Sequence, residues 1–167
     1  MSAIDGNDLL QSDMAEPNAS IVFGDPAWSD YDLTFNVIAM SASESNGFKA
    51  LFHWTNAGNF RALALGNASD NGFALGHCAE GQWRNDPGLS RQGKIEFGRL
   101  YGVRIEVRGL NVHCFLDGNE LFHAVDGAVA TGQVGLATFR SACRFRDVRI
   151  TAVDGRLLWN GVPAVDK

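Results

Sequence analysis

Residues 99 to 125 read RLYGVRIEVRGLNVHCFLDGNELFHAV, and residues 132 to 153 read GQVGLATFRSACRFRDVRITAV. Apolar side chains at 103, 105 and 107 alternate with charged ones at 104, 106 and 108, which predicts a strand with one buried face. Asp117-Gly118 then separates two apolar runs, a strong signal for a hairpin. Two more apolar runs follow in the second segment after short polar gaps. This part of the chain therefore predicts antiparallel strands joined by tight turns.

The composition is typical of one globular domain. The chain has 167 residues, of which 46% are hydrophobic and 20% charged, and this predicts a single β-sandwich domain over residues 1–167. We expect its core at about 5–153 and an edge segment at 154–167. The net charge of −5 argues against a nucleic-acid partner. No apolar run approaches the length of a membrane span, so we expect no membrane partner.

The three cysteines, Cys78, Cys114 and Cys143, are widely spaced and odd in number. This pattern argues against a disulfide framework and predicts buried free thiols. No Cys/His cluster has zinc spacing, so we expect no required cofactor. The N-terminus lacks the features of a secretion signal, which favours a cytoplasmic protein unless the chain is trimmed from an exported one. The sequence leaves the compartment and the full-length context open.

The rest of the chain also consists of short apolar segments separated by turn residues, with no sustained helical periodicity. We expect residues 85–98 to form a long polar loop that carries one short strand. Many short strands at close spacing predict an all-β, two-sheet antiparallel sandwich. In the last long strand, Cys143 and Phe145 lie at odd positions and so share one face, whereas Val148 and Ile150 lie at even positions. In a regular strand these two pairs would point to opposite faces. A β-bulge at Arg146-Asp147 would keep all four side chains buried.

These residues resemble the concanavalin A-like, laminin G-like jelly roll, and more narrowly the bacterial 3-keto-disaccharide hydrolase domain family, which is related to family 16 glycoside hydrolases. The resemblance covers about residues 5–153. It rests on segments that include 28–32 (WSDYD), 47–54 (GFKALFHW), 81–83 (GQW), 103–109 (VRIEVRG), 114–118 (CFLDG), 132–136 (GQVGL) and 145–150 (FRDVRI).

The resemblance implies a two-sheet sandwich with one concave face that holds a carbohydrate in related domains. It also implies a structural calcium on the other side, with Asp147 and the Gly24-Asp25 turn as matching positions. The alternative interpretation of Asp147 is a polar residue at a bulge without metal. Family 16 enzymes use a Glu-x-Asp-x-Glu run that supplies two close carboxylates. This sequence has no such run, which argues against catalysis of that type.

Three residues are candidates for ligand binding. With a hairpin turn around residues 56–58, His53 would face Arg61 across two strands, while Trp54 would pair with Phe60 on the opposite face. His53 and Arg61 would then suit the hydroxyls or a keto oxygen of a sugar, and His53 could act as a general base. Trp83 adjoins the long loop and could stack on a sugar ring. The alternative is that the polar pair is ordinary surface and that Trp83 is a core filler. Asp30 and Asp32, two residues apart and so on one face of a strand, are a weaker candidate for acid–base or cation chemistry, the alternative being a solvated start of that strand.

Three functions are compatible with these observations. The first is a non-catalytic module that binds a glycan or another small polar ligand on the concave sheet face. The second is a hydrolase acting on 3-keto-glycosides, which rests on the family resemblance alone. The third is a protein-interaction domain within a larger bacterial protein.

Overall fold

The computed structural model describes residues 3–42, 47–67, 72–125 and 130–165. The described residues form fourteen strands and no helix, and hence no helix long and apolar enough to cross a membrane. In chain order the strands are β1 (Ala3–Asp5), β2 (Asp8–Gln11), β3 (Ala19–Phe23), β4 (Asp30–Ala42), β5 (Phe48–Asn56), β6 (Asn59–Asn67), β7 (Gly72–Ala79), β8 (Gln82–Gln92), β9 (Leu100–Arg108), β10 (Asn111–Leu116), β11 (Asn119–Val125), β12 (Gln133–Thr138), β13 (Ser141–Ala152) and β14 (Leu157–Asn160).

The strands form two antiparallel sheets. The eight-stranded sheet has the order β1-β2-β13-β4-β9-β10-β11, with β14 pairing with β13, and the six-stranded sheet has the order β3-β12-β5-β6-β7-β8. The predicted all-β, two-sheet sandwich is therefore confirmed. Residues 100–152 contribute strands to both sheets, because β9, β10, β11 and β13 lie in the larger sheet and β12 lies in the smaller one.

Alternating side chains of the long strand β4 form the centre of the core. Its inward positions, among them Tyr31, Leu33, Phe35 and Val37, are buried, as the period of two requires. Phe145 of β13 packs its ring against Phe35 at 5.9 Å between ring centroids. It also meets Phe48 of the opposite sheet edge-on at 6.4 Å. Burial also raises the pKa of Tyr31 above its ordinary value, because the surroundings disfavour the phenolate.

The predicted bulge in β13 is present. Arg146 pairs with Asn36 and Arg149 pairs with Thr34, so β13 advances three residues while β4 advances two. Asp147 takes up the extra residue with a φ of +53°, and its carboxylate accepts a hydrogen bond of 2.9 Å from the Asn36 side-chain amide. Val148 and Ile150 consequently return to the core, as their parity in the sequence requires.

A second bulge, which the sequence did not predict, lies in β5. Leu51 pairs with Gly135 and Trp54 pairs with Gln133, so two residues of β5 stand opposite one residue of β12. His53 occupies this bulge with a φ of +49°. The predicted pairing of His53 with Arg61 is wrong by one residue, since Phe52 stands opposite Arg61. Gly132 makes the bulge possible, because a Cβ there would lie 2.5 Å from the His53 carbonyl carbon.

The predicted long loop at 85–98 is correct for residues 93–98 and wrong for residues 85–92. β8 continues to Gln92, and the ladder with β7 is interrupted only where Gly76 pairs with Asn85 and Ala74 pairs with Ser90. The intervening residues 86–89, which include Pro87 and Gly88, form no ladder pairs with β7. We call them the bowed segment. Proline cannot donate to a ladder and glycine permits a sharp bend, which accounts for the interruption. The sequence suggested a loop because these residues are poor strand formers.

Most of the predicted turns and free thiols are present in the structure. Asp5-Gly6, Asp117-Gly118 and Asp154-Gly155 lie at chain reversals, whereas the fourth such pair, Asp126-Gly127, and most of the predicted polar loop at 41–46 lie outside the described residues. The cysteines are free, with Cys114 and Cys143 buried and Cys78 half-buried.

Candidate functional site

A cleft opens at one end of the sandwich, between the six-stranded sheet and the edge strand β11 of the eight-stranded sheet. Its volume is about 510 Å³, within the range of small-molecule sites. The β5–β6 hairpin, the end of β7 and the bowed segment 86–89 form three of its sides, and the end of β11 forms the fourth. The lining residues are His53, Thr55, Asn59, Phe60, Arg61, His77, Cys78, Ala79, Asp86, Pro87, Leu89, Ala124 and Val125.

A charged cluster occupies the cleft. Arg61 and His77 are paired positions on β6 and β7, so both side chains project to the same face of the sheet. The bowed segment of β8 brings Asp86 between them, and the Arg61 guanidinium donates to Asp86 Oδ2. The other carboxylate oxygen, Oδ1, lies 2.6 Å from His77 Nδ1. The side chains of Arg61 and Asp86 are 6% and 16% exposed, so this ion pair is largely removed from water.

The Asp86 contact determines how His77 can act. A carboxylate only accepts hydrogen bonds, so Nδ1 carries a proton in this contact and Nε2 becomes the acceptor of the neutral ring. The His77 side chain is 40% exposed, which keeps it accessible from the cleft. His77 can therefore accept a hydrogen bond from a ligand hydroxyl, or donate one after protonation.

The remaining lining combines apolar surface with small polar groups. Leu89 and Pro87 from β8 face Ala124 and Val125 from β11 across the cleft, and Val125 is 68% exposed. Near the β5–β6 turn, the Thr55 hydroxyl donates to the Asn59 carbonyl at 3.1 Å. A few convergent polar groups against an apolar wall are typical of a site for a small polyhydroxylated ligand.

The predicted ligand residues divide between two surfaces. His53 and Arg61 both line the cleft, and His53 is only 2% exposed. Trp83 lies on the outward face of the six-stranded sheet, because it pairs with Cys78, whose side chain points away from that of its neighbour His77. The structure therefore brings His53 and Arg61 together but separates them from Trp83.

Trp83 belongs to an apolar cluster on that outward face. Leu51, Ala62 and Ala137 are buried there, and the half-buried Val22, Trp54, Phe60 and Trp83 pack against them. The predicted contact of Trp54 with Phe60 is confirmed, with the rings stacked at 4.9 Å and an interplanar angle of 24°. The Lys49 ammonium lies 4.6 Å from the centre of the Trp83 ring. Burial on this face lowers the pKa of Lys49 from its ordinary value.

Asp147 and Asp25, the positions that the resemblance implied for calcium, each have a hydrogen-bond partner within the protein. Asp147 lies beside Asn36 on β4, whereas Asp25 lies in the turn before β4 begins at Asp30. The Asp25 carboxylate accepts a hydrogen bond from the Ala27 amide. Within the described ranges, no group of three or more His, Cys, Asp or Glu side chains could hold a metal ion, and the calcium implied at these two positions stays a prediction.

The weaker carboxylate candidate also lies apart from the cleft. Asp32 forms an ion pair of 2.9 Å with Arg108, and Asp30 accepts a hydrogen bond of 2.7 Å from the Ser29 hydroxyl. Both carboxylates therefore have structural partners at the start of β4. Neither lines the cleft.

Sequence reasoning did not identify His77 and Asp86 as site residues. The turn at Glu80-Gly81 gives the register of the β7–β8 hairpin, and a matching register for β6–β7 would have placed His77 beside Arg61. Asp86 offered no such signal, because its position depends on the interrupted ladder. No simple alternation predicts where a bowed segment directs its side chains.

Comparison with known proteins confirms the fold. No model of a known protein family matches the chain. The chain is 33% identical over 118 residues to an extracellular exo-α-L-arabinofuranosidase of Streptomyces chartreusis, a match that covers 71% of this chain but only 14% of that enzyme. Among solved structures, the carbohydrate-binding module CBM66 of Bacillus subtilis superposes with a TM-score of 0.72 at 17% identity, covering 84% of this chain and 83% of that one. The galectin LEC-6 of Caenorhabditis elegans gives 0.58 at 11% identity, with 87% and 99% covered. The chain is thus a jelly-roll sandwich of the kind shared by these proteins.

Proposed function

We propose that this chain is a carbohydrate-binding module that holds a sugar residue in the cleft between the β5–β8 strands and β11. The observation that carries the proposal is the convergence of Arg61, His77 and Asp86 on one partly enclosed cavity of about 510 Å³. The Arg61 guanidinium can donate to sugar oxygens, whereas Nε2 of the neutral His77 ring and the Asp86 carboxylate can accept from sugar hydroxyls. The apolar side chains of Pro87, Leu89, Ala124 and Val125 can cover the C–H surface of the sugar ring.

The neighbouring proteins support a carbohydrate ligand. A carbohydrate-binding module and galectins share the fold, and the relative with 33% identity is an arabinofuranosidase. Because the matched region spans a small part of that enzyme, we propose that this chain acts as a module of a larger carbohydrate-active protein. Arabinofuranosyl glycans are accordingly the first ligands to test. The proposal places the ligand at the end of the sandwich rather than centrally on the sheet face that the resemblance predicted.

Binding without hydrolysis also agrees with the chemistry of the cleft. Glycoside hydrolysis by the common route needs two carboxyl groups, one acting as acid and the other as nucleophile or base. Of the described residues that line the cleft, Asp86 alone carries a carboxylate, and it is engaged by Arg61 and His77. The groups present can orient a sugar, but they do not supply that pair.

Calorimetric titration, guided by a glycan array that includes arabinofuranosides and thiodigalactoside, would test the proposal. We expect His77→Ala to weaken binding at least about tenfold, the effect of losing one hydrogen bond to a polar ligand. Arg61→Lys should weaken it as well, since lysine lacks the planar fork of arginine. His123→Ala is the matched control, because His123 is an exposed histidine that does not line the cleft. Unchanged affinity in both cleft variants would place the ligand elsewhere.

A second candidate function has one specific observation in its favour. The contact of 2.6 Å between His77 Nδ1 and Asp86 Oδ1 orients the imidazole in the manner of a general base. Such a base could serve the hydrolysis of a 3-keto-glycoside. Incubation with a 3-keto-disaccharide, with and without calcium, should then release sugar, and His77→Gln should abolish the release. Absence of turnover in the unmodified protein would count against this function and leave the binding proposal intact.

A further inference from the structure

An aromatic pair lies at the edge of the cleft. Phe60 lines the cleft, and it also belongs to the apolar cluster on the outward face of the six-stranded sheet. Trp54 stacks on it at 4.9 Å, on that outward side. We call Trp54 and Phe60 the rim pair. The Phe60 side chain therefore connects the cleft to the outward face of the six-stranded sheet.

The rim pair is held firmly by its surroundings. Phe60 immediately precedes Arg61, so the strand directs one side chain outward and the next into the cleft. Beneath the pair, Leu51 and Ala62 are buried and leave little room for the rings to sink into the sheet. Both rings are half-buried, so each presents part of its surface to solvent. A rigid aromatic surface of this kind can bury apolar area with little loss of conformational entropy.

Trp83 does not offer an equivalent surface. One side of its ring lies over Gly76, where an added Cβ would come within 2.8 Å of the indole. The Lys49 ammonium lies 4.6 Å from the centre of the same ring. The indole nitrogen donates to the Asn85 side chain at 2.9 Å, which fixes the ring further. The rim pair is therefore the better continuation of the cleft.

From this continuity we propose that the ligand is a polymeric glycan, with its end unit in the cleft and the following units crossing the rim to stack on Trp54 and Phe60. The inference rests on the proposed function, and it narrows the ligand from any small sugar to an oligosaccharide or polysaccharide chain. Aromatic rings match the apolar C–H faces of sugar rings, as the polar cluster in the cleft matches their hydroxyls. The cleft and the rim pair would thus contact different sugar units of the same glycan.

Titration with an arabinofuranosyl ladder of about one to six units tests the inference. The unmodified protein should gain about tenfold in affinity between the single sugar and the longer chains, the value of one additional aromatic contact. Trp54→Leu should remove this gain, so that the single sugar and the longer chains bind with similar affinity, and Trp54→Phe should retain most of it. His77→Ala should weaken every length alike. Phe97→Ala, at an exposed aromatic residue outside the cleft, is the control.

Two results would overturn the inference, and they differ in what they leave standing. If the single sugar binds and affinity does not change with length, the proposed function holds and the polymer inference fails. If no member of the ladder binds, both fail for this class of glycan. Tryptophan fluorescence provides a second measurement that does not depend on a variant. Long chains should shift the emission, whereas the single sugar should not, and identical shifts would contradict the inference.

Discussion

The β-bulges at His53 and Asp147 use the same backbone geometry and have opposite consequences. His53 in β5 and Asp147 in β13 are both non-glycine residues with φ near +50°. His53 is buried and lines the cleft, whereas Asp147 is exposed and hydrogen-bonded to Asn36 on the outward face of the eight-stranded sheet. One bulge helps to form a recess at the end of the sandwich, and the other corrects the register of a long strand.

The difference shows that the surroundings of a bulge, rather than the bulge itself, determine its role. Next to His53, the Gly132 backbone approaches closely, and Arg61 and Asp86 supply charge within the same cleft. Next to Asp147, the neighbouring strand offers an amide at the surface. A left-handed residue is therefore no evidence of a site unless buried polar groups surround it.

The largest expected effect comes from the charges near the His53 bulge. Asp86→Ala would leave the buried Arg61 guanidinium without its carboxylate, and we expect unfolding to become easier by about 3 kcal/mol. Urea denaturation followed by circular dichroism would measure this change. Asp147→Ala is the comparison, because that carboxylate is exposed. Losses of equal size at the two positions would show that the cleft charges are not structurally distinct from those at the surface.

An intermediate effect is expected at Gly132. An added Cβ would meet the His53 backbone at 2.5 Å, so Gly132→Ala should destabilise the fold by about 1–3 kcal/mol and disturb the cleft. Gly155→Ala is a control with a φ of +87° and open space around it, and it should cost only about 1 kcal/mol of strain. Thermal unfolding of both variants would compare them. If Gly132→Ala proved as mild as the control, the close packing at the bulge would be disproved.

A small effect is expected at Asp147. Asp147→Gly loses the hydrogen bond from Asn36 but suits the left-handed backbone, so the two changes should cancel to within about 0.5 kcal/mol. Denaturant titration would resolve a larger difference. Asp147→Val provides the contrast, since a β-branched residue tolerates this backbone poorly. Equal stability of the glycine and valine variants would mean that the bulge can relax without cost.

The reactivities of the three cysteines can be compared in the unmodified protein near neutral pH, where the fold stays intact. Burial raises the pKa of Cys114 and of Cys143, which lies on the same strand as Asp147, to about 12 each. Both thiols should resist a thiol-directed reagent at pH 8 in the folded protein, whereas the half-buried Cys78 beside the cleft should react. Mass spectrometry would count the labels, and Cys78→Ser should leave none. Because burial raises the pKa of both thiols from 9.0 to about 12, their contribution to the free energy of unfolding should be complete well below pH 9 and should fall as the pH rises from about 9 towards 12.

How much the sequence could predict depends on the pattern around each element. At Asp147 the apolar residues change parity, from Cys143 and Phe145 to Val148 and Ile150, so a bulge follows from the need to bury all four. Around His53 the strand is apolar at both parities, because the inward Phe52 and the outward Leu51 are both buried. The sequence of β5 therefore shows no change of polar–apolar pattern that would predict the bulge at His53. His53 and Arg61 were predicted from a hairpin register that the bulge shifts by one residue, whereas Asp86 depends on a distortion that tertiary contacts impose.

The segment 86–89 lies outside the paired positions of the β7–β8 ladder. Asp86 contributes the central carboxylate of the cleft, and Pro87 and Leu89 contribute apolar wall. Replacing these four residues would alter the shape and charge of the cleft while the hydrogen bonds of both flanking strand segments stayed in place. Domains with this architecture can thus diverge in ligand preference through one short segment, with the core and the register of the sheets unchanged.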